Sequence, residues 1–170
     1  MQPLLATGNV RFSFQDTAIR TWLSDTSDTA KRSAATAMAT LPSVIATYRL
    51  DASENRYRLV KANRRAMSRS ELVNWAIHGQ ELLDTMAAPH AADVVGLLRD
   101  DTSYGVAGDH GGQQAAVQEI PIVFAGADVG ARDSRRPLRS VDILPTILRE
   151  MGIAARRGMD GRAVAELAHR

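Results

Sequence analysis

Hydrophobic and polar positions alternate with a period of two in the first part of the chain. Residues 9–14, Asn-Val-Arg-Phe-Ser-Phe, show the pattern of a half-buried strand. Residues 18–23 follow as a turn or a short strand. Residues 44–50 are rich in β-branched and aromatic side chains, and residues 57–60 predict a returning strand after the turn at residues 51–55. The last two segments together predict a β-hairpin.

Helical spacing appears in two segments of the same region. Residues 27–41 are rich in alanine, open with Ser27 as a candidate N-cap and end before Pro42. The sequence Ser68-Arg-Ser-Glu71 has the pattern of a capping box. An amphipathic helix is therefore predicted to begin there and to continue through Leu83.

Two continuous apolar runs in the second half predict buried strands. They are residues 93–98, Asp-Val-Val-Gly-Leu-Leu, and residues 120–125, where Pro121 favours the start or the edge of a strand. A helix is predicted from Asp142 as its cap to Gly152, and a last short helix over residues 160–169. The alternation of strands and helices predicts an α/β fold: a partial layered sheet with flanking helices, plus a hairpin and helix insert.

Composition limits the possible functions of the chain. A hydrophobic fraction of 45% and a charged fraction of 24% over 170 residues are typical of a globular protein. The apolar runs are too short for a membrane segment, no secretory signal is visible, and the compartment stays open. Absence of cysteine excludes disulfides, thiolate metal sites and cysteine nucleophiles. The 21 basic residues are scattered among 19 acidic ones without an aromatic platform, so no nucleic-acid partner is expected.

The strongest candidate for chemistry is the loop Gly-Asp-His-Gly-Gly at residues 108–112. It follows an apolar strand pattern, and ligands of α/β proteins bind at such strand ends. His110 offers a nitrogen ligand and Asp109 an oxygen ligand for zinc, and the glycines allow a tight turn. The alternative is a glycine-rich turn in which the histidine is only hydrogen-bonded.

Other polar residues give weaker signals, and each has a structural alternative. The pair Asp100-Asp101 fits a solvated turn or a carboxylate dyad, and Asp16 fits a turn residue better than a partner for Thr17. The remaining histidines fit surface or core positions better than ligands: His78, His90 and His169. Four arginines of the first half could meet a phosphate, although solvated charge is the commoner role: Arg11, Arg20, Arg49 and Arg58.

Several motifs between Tyr104 and Val164 come in one order. Gly-Asp-His-Gly-Gly is followed by Ile-Pro-Ile-Val-Phe-Ala-Gly, then by Val-Asp-Ile-Leu-Pro-Thr-Ile-Leu, Met-Gly-Ile and Met-Asp-Gly-Arg. This order resembles the carboxy-terminal end of the type I phosphodiesterase/nucleotide pyrophosphatase family of the alkaline phosphatase superfamily. Phosphatases, sulfatases and phosphomutases of that superfamily share part of this order of motifs.

The resemblance implies an alkaline-phosphatase-like fold and a two-metal hydrolase, usually a zinc enzyme, that acts on a small phosphoester substrate. Its late His-Gly ligand motif corresponds to His110-Gly111, and ligation by Asp109 is less expected. Residues 91–170 would be the carboxy-terminal part of the catalytic core. Residues 1–90 would be an insert that resembles a cap.

The resemblance also implies that parts of the site are missing. The nucleophile and the other metal ligands of the family have no counterpart here, and the family's Asp-His-Gly-Met motif would end at Met1. We therefore expect the chain to be part of a longer enzyme and inactive alone, because one histidine cannot hold two metals. Two alternatives stay open: a non-catalytic α/β remnant or interaction module, and a sister activity within the superfamily.

Overall fold

A computed structural model describes residues 6–104, 112–126, 129–130 and 136–164 of the chain. The chain forms two compact units, Met1–Glu119 and Ile120–Arg170. The division at residue 90 into an insert and a core stays a prediction.

An antiparallel sheet organises the first unit. Its strands are β1 (Val10–Gln15), β2 (Ala18–Leu23), β3 (Val44–Asp51), β4 (Arg56–Ala62) and β5 (Val94–Leu98). Their spatial order is β1-β2-β5-β3-β4, so the last strand along the chain lies in the middle of the sheet. All five residues of β5 are buried, which confirms the buried strand predicted there. The predicted hairpin is also confirmed, since β3 pairs antiparallel with β4.

Helices flank the sheet and bury different sets of strand residues, which confirms a layered α/β architecture. The first unit contains α1 (Asp28–Met38), α2 (Arg69–Asn74), α3 (Gln80–Met86) and α4 (Ala115–Gln118). Side chains of α1 pack with Val94 and Leu98 of β5, whereas Leu83 of α3 packs with Val95 and Leu97. Successive strand residues point to opposite faces, so α1 and α3 lie on opposite sides of the sheet.

The helix predicted through Leu83 is interrupted. A π-helical turn, Trp75–Gly79, separates α2 from α3. The extra residue of a π turn shifts the helical phase. Val73 and Ile77, which the sequence pattern placed on the apolar face, are exposed. Trp75 donates from its indole nitrogen to the Tyr48 hydroxyl at 2.7 Å and ties this turn to β3.

A buried ion pair joins α1 to the sheet. The Lys31 ammonium lies 3.4 Å from Oδ1 of Asp93 and donates to the carbonyl oxygen of Leu50 at 3.2 Å. Oδ2 of Asp93 accepts the backbone N–H of Leu23 at 2.9 Å. Lys31 and Asp93 are both buried, so each charge depends on the other for compensation.

The second unit contains a 3-10 turn, Ser140–Asp142, and α5 (Ile143–Glu150). Gly152, at a φ of 69°, ends this helix in the left-handed conformation that the sequence predicts for a C-terminal glycine. The prediction that the Asp142 side chain caps α5 is wrong. The Asp142 side chain binds the backbone N–H groups of Arg139 and Arg162 rather than the first turn of α5.

Two other predictions for the second unit are wrong. Residues 120–125 form no strand, and Ile120 and Val123 are 65% and 85% exposed. A strand needs backbone partners, Pro121 has no N–H to donate, and the described residues pair no strand with this segment. Residues 160–164 form bends and irregular chain instead of the start of a helix, and residues 165–169 lie outside the described part.

None of the helices among the described residues is long and apolar enough to cross a membrane.

Candidate functional site

The predicted metal ligands His110 and Asp109 lie outside the described residues. The structure describes the chain on both sides of them, from β5 to Tyr104 and again from Gly112. The first of these segments starts at the end of the central strand. The backbone N–H of Arg99 donates to the carbonyl oxygen of Ser43 at 2.8 Å and continues the sheet contact by one residue beyond β5.

The buried carboxylate of Glu71 fixes the segment that follows β5. It accepts the backbone N–H of Ser68 at 2.6 Å in the predicted capping box and that of Asp100 at 3.0 Å. The Arg99 guanidinium lies 3.4 Å from the same carboxylate. Burial raises the pKa of Glu71, but these N–H donors and the Arg99 charge outweigh burial and hold that pKa below its usual value.

Asp100 and Asp101 form a turn directly after this contact. Asp101 has a φ of 57°, which is common for Asp in turns. Burial and the nearby Glu71 charge raise the pKa of Asp100, although the Gln114 side chain hydrogen-bonds its carboxylate. Oδ1 of Asp100 is buried and has no hydrogen-bond partner among the described residues. Asp100 and Gln114 therefore connect the two sides of the segment that carries His110.

Gln113 enters the protein interior on the far side of that segment. It is 3% exposed, and both atoms of its amide are buried without a hydrogen-bond partner among the described residues. A side-chain carbon at Gly79 would lie 3.5 Å from the Gln113 amide oxygen and only 2.8 Å from a ring carbon of Trp75. Gly79 thus leaves room for the indole and the amide beside the π turn.

Sequence reasoning missed the roles of Glu71 and Gln113 near this loop. The capping-box pattern identified Glu71, but only as a local helix cap. Its second contact, with Asp100, joins residues 29 apart in the sequence, and no local pattern encodes it. Gln113 gave no signal, because glutamine beside glycines is typical of an exposed loop.

The other candidate residues have structural roles or lie apart from the loop. His78 is half-buried in the π turn, His90 is exposed, and His169 is outside the described residues. Asp16 is a turn residue, because its Oδ1 accepts the backbone N–H of Ala18 at 2.9 Å. In the part of the chain that the structure describes, no three His, Asp or Glu side chains are grouped as metal ligands would be.

Three of the four arginines considered for phosphate binding contact carboxylates instead. Arg20 pairs with Asp16 at 2.9 Å and Arg49 with Asp28 at 2.7 Å. Arg58 pairs with Glu54. These ion pairs favour paired charge over phosphate binding for those three residues, and the Arg49 side chain is only 13% exposed.

Two of the motifs on which the family resemblance rests pack on each other within the second unit. They are Val-Asp-Ile-Leu-Pro-Thr-Ile-Leu and Met-Asp-Gly-Arg. The backbone N–H of Arg162 donates to Oδ1 of Asp142 at 2.8 Å, and that of Val164 donates to the Thr146 hydroxyl at 3.0 Å. A side-chain carbon at Gly161 would lie 1.9 Å from the carbonyl oxygen of Val141, so only glycine allows this approach. The Met-Asp-Gly-Arg segment therefore closes over the start of α5.

Comparisons of the chain with protein-family models, with curated proteins and with solved structures find no match. A function can therefore be argued only from the residues and their arrangement.

Proposed function

We propose that this chain is the carboxy-terminal part of a metal-dependent phosphoric-ester hydrolase of the alkaline phosphatase superfamily, similar to phosphodiesterases and nucleotide pyrophosphatases. His110 would be a zinc ligand, with Asp109 beside it. The observation that carries the proposal is the order of the motifs from the Gly-Asp-His-Gly-Gly loop to the Met-Asp-Gly-Arg segment. Each motif alone is common, whereas their combination in one order is not.

The packing of the second unit supports the proposal. Here Asp142 of one motif binds the backbone of Arg162 of another, across 20 residues. Gly161, the third residue of the second motif, is required sterically at that contact.

The connection of the loop to β5 also supports the proposal. A metal ligand needs a well-fixed main chain, because neighbouring hydrogen bonds orient it. The described segment between β5 and the loop is fixed in this way, because Glu71 binds Arg99 and the backbone N–H of Asp100.

Zinc, when bound, would activate the nucleophile of such an enzyme and stabilise the charge on the displaced phosphoryl group. His110 would hold and orient one metal position. A catalytic zinc needs about three protein ligands, so a single histidine cannot hold two metals. We therefore expect the 170-residue chain alone to lack substantial phosphodiesterase activity.

The decisive experiment starts from the reading frame of the gene upstream of the Met1 codon. The proposal expects it to encode Asp-His-Gly before Met1, with Asp-x-x-x-His and a Thr or Ser nucleophile further upstream. The complete protein should then hydrolyse bis-p-nitrophenyl phosphate in the presence of zinc. His110→Ala should lower kcat by about 100-fold or more, because loss of a residue that only orients a metal ligand already costs about 10–100-fold.

The control is His90→Ala, which removes an exposed histidine and should leave kcat unchanged. Zinc-dependent turnover by the isolated chain would contradict the expected inactivity. A stop codon directly upstream of Met1, together with no zinc binding by the chain, would favour a non-catalytic α/β module.

A further inference from the structure

The excess positive charge of the chain lies in its second unit. Ile120–Arg170 contains nine basic and six acidic side chains, whereas Met1–Glu119 contains twelve basic and thirteen acidic ones. Residues 132–139 alone contain four arginines and one aspartate. A local excess of one sign of charge attracts ligands of the opposite sign. The second unit is therefore the part of the chain to search for an anion site.

A cavity of about 300 Å³ lies beside the start of α5 in this unit. Small-molecule sites commonly have volumes of roughly 300–1,000 Å³, so the cavity is large enough for a small ligand. Its arginines are exposed, so a ligand can reach them from solvent. The charged side chains that line the cavity come from the segments before and after α5: Arg136, Arg139, Asp142, Asp160 and Arg162.

The backbone that carries these arginines is held in place by Asp142. One oxygen of its carboxylate accepts the N–H of Arg139 at 2.9 Å, and the other accepts the N–H of Arg162 at 2.8 Å. The close approach of Gly161 to the Val141 carbonyl fixes the same junction. Two arginines that are distant in the sequence are thus brought to one cavity before any ligand binds, as a binding site requires.

The charges around the cavity do not cancel. Arg139 and Arg136 act on the Asp142 carboxylate and help to lower its pKa. In the described part of the chain the Arg162 guanidinium forms no ion pair. Asp160 is the other carboxylate of the lining and is exposed. Three guanidinium groups against two carboxylates leave a positive charge at the cavity.

We propose that this cavity binds the phosphate group of a small molecule, with Arg136, Arg139 and Arg162 as the residues that hold it. A guanidinium group can donate two parallel N–H bonds to a pair of phosphate oxygens. Phosphate has enough oxygens to contact more than one arginine, whereas a carboxylate has two. Several arginines around one cavity therefore favour phosphate over a carboxylate. The apolar part of the lining, which includes Leu138 and Val164, would contact the carbon part of a phosphate ester.

An NMR titration of the 170-residue chain with inorganic phosphate tests the proposal, with the ionic strength held constant by sodium chloride. The titration needs no metal, because all lining residues belong to the second unit. We expect saturable shifts of the backbone amides of Arg139, Arg162 and Ala163, with a Kd of about 1 mM or lower. Acetate should bind about tenfold more weakly, because it cannot contact several arginines at once.

Three variants distinguish the cavity from general surface charge. Arg162→Gln keeps the backbone N–H that binds Asp142 and should raise the Kd about tenfold, because a charge-assisted hydrogen bond is lost. The matched control Arg157→Gln removes an exposed arginine of the same unit that does not line the cavity, and it should leave the Kd unchanged. Asp160→Asn removes a negative charge from the lining and should lower the Kd, a direction that misfolding cannot produce.

The source of the phosphate group is tested with glycerol 2-phosphate as a second probe. Tighter binding of this compound than of inorganic phosphate supports a phosphate ester as the ligand, and weaker binding supports free phosphate. Three outcomes would overturn the proposal: no saturable shift of the named amides with either compound, equal affinity for acetate and phosphate, or an equal loss of affinity in Arg157→Gln and Arg162→Gln.

Discussion

Asp142 and Arg162 are 20 residues apart and are joined by a hydrogen bond of 2.8 Å from the Arg162 N–H to the Asp142 carboxylate. The other oxygen of the same carboxylate accepts the N–H of Arg139 at 2.9 Å. One side chain thus connects the segment before α5 with the segment after it. The N–H donors of Arg139 and Arg162 lower the pKa of Asp142 below its ordinary value of 3.8.

Asp142→Ala should release the 162–164 segment from α5. Two hydrogen bonds of about 1 kcal/mol each are lost, so the free energy of unfolding of the second unit should fall by about 2 kcal/mol. Amide exchange at Arg162, followed by NMR, measures the release directly. Asp160→Ala, at an exposed neighbouring carboxylate, is the control and should leave that exchange rate unchanged.

The Asp142 contact should also depend on pH. The folded-state pKa is depressed, so the carboxylate stabilises the fold at pH values above about 4, where it is also ionised in the unfolded chain. This contribution is lost as the pH falls through the folded-state pKa. Protection of the Arg162 amide should therefore decrease below about pH 4 in the unchanged protein, whereas Asp142→Asn should show no such step.

Gly161→Ala should prevent the same closure by steric conflict. The added carbon would lie 1.9 Å from the Val141 carbonyl oxygen, and backbone atoms cannot move away as a flexible side chain could. We expect a loss of about 1–3 kcal/mol in unfolding free energy, together with faster exchange at Arg162. Gly130→Ala places a methyl group in open space and should change neither quantity. Normal Arg162 protection in Gly161→Ala would contradict the described packing.

The Lys31–Asp93 pair should be costly to break from one side. Asp93→Ala leaves the buried Lys31 ammonium without compensation and should lower the free energy of unfolding by about 3–5 kcal/mol, measured by urea denaturation. The double variant Lys31→Met/Asp93→Ala removes both charges and should recover part of this loss. Asp84→Ala disrupts the exposed pair with Arg56 and should cost less than about 1 kcal/mol.

Glu71→Gln should change the acidity of Asp100. The negative charge of Glu71 contributes to the raised pKa of Asp100, so its removal should lower that pKa toward the ordinary value. A pH titration of the Asp100 side-chain carboxyl carbon by NMR measures the shift. Glu81→Gln, at an exposed residue of α3, should leave the titration unchanged. An unaltered Asp100 pKa in Glu71→Gln would contradict the described proximity of the two carboxylates.

Local signals predicted much of the first unit. The Ser68 side chain accepts the N–H of Glu71 as the capping-box pattern indicates, and Ser27 accepts the N–H of Ala30 at the start of α1. Both contacts join residues three apart, which a sequence pattern can encode. The strands β1 and β5 are likewise predicted from patterns of neighbouring residues: a period-two alternation in β1 and a continuous apolar run in β5.

Contacts between distant residues were not predictable in the same way. Residues 120–125 have the composition of a buried strand, but a strand also needs a neighbour, which composition does not supply. Trp75, the first residue of the π turn Trp75–Gly79, hydrogen-bonds to Tyr48. These two residues are 27 apart in the sequence, so no local pattern indicates the contact. At the candidate site the sequence indicated the loop at residues 108–112, whereas the contact of Glu71 with Asp100 depends on the fold.

The central position of β5 has a consequence for folding. β1 pairs with β2, and β3 pairs with β4, but the two pairs share no hydrogen bonds until β5 lies between β2 and β3. During synthesis the ribosome must therefore extend the chain past Leu98 before the sheet can close. An isolated two-stranded hairpin is at best marginally stable in water. A nascent chain that ends before Val94 would hold two separate hairpins, whose apolar faces would be available to chaperones until the central strand arrives.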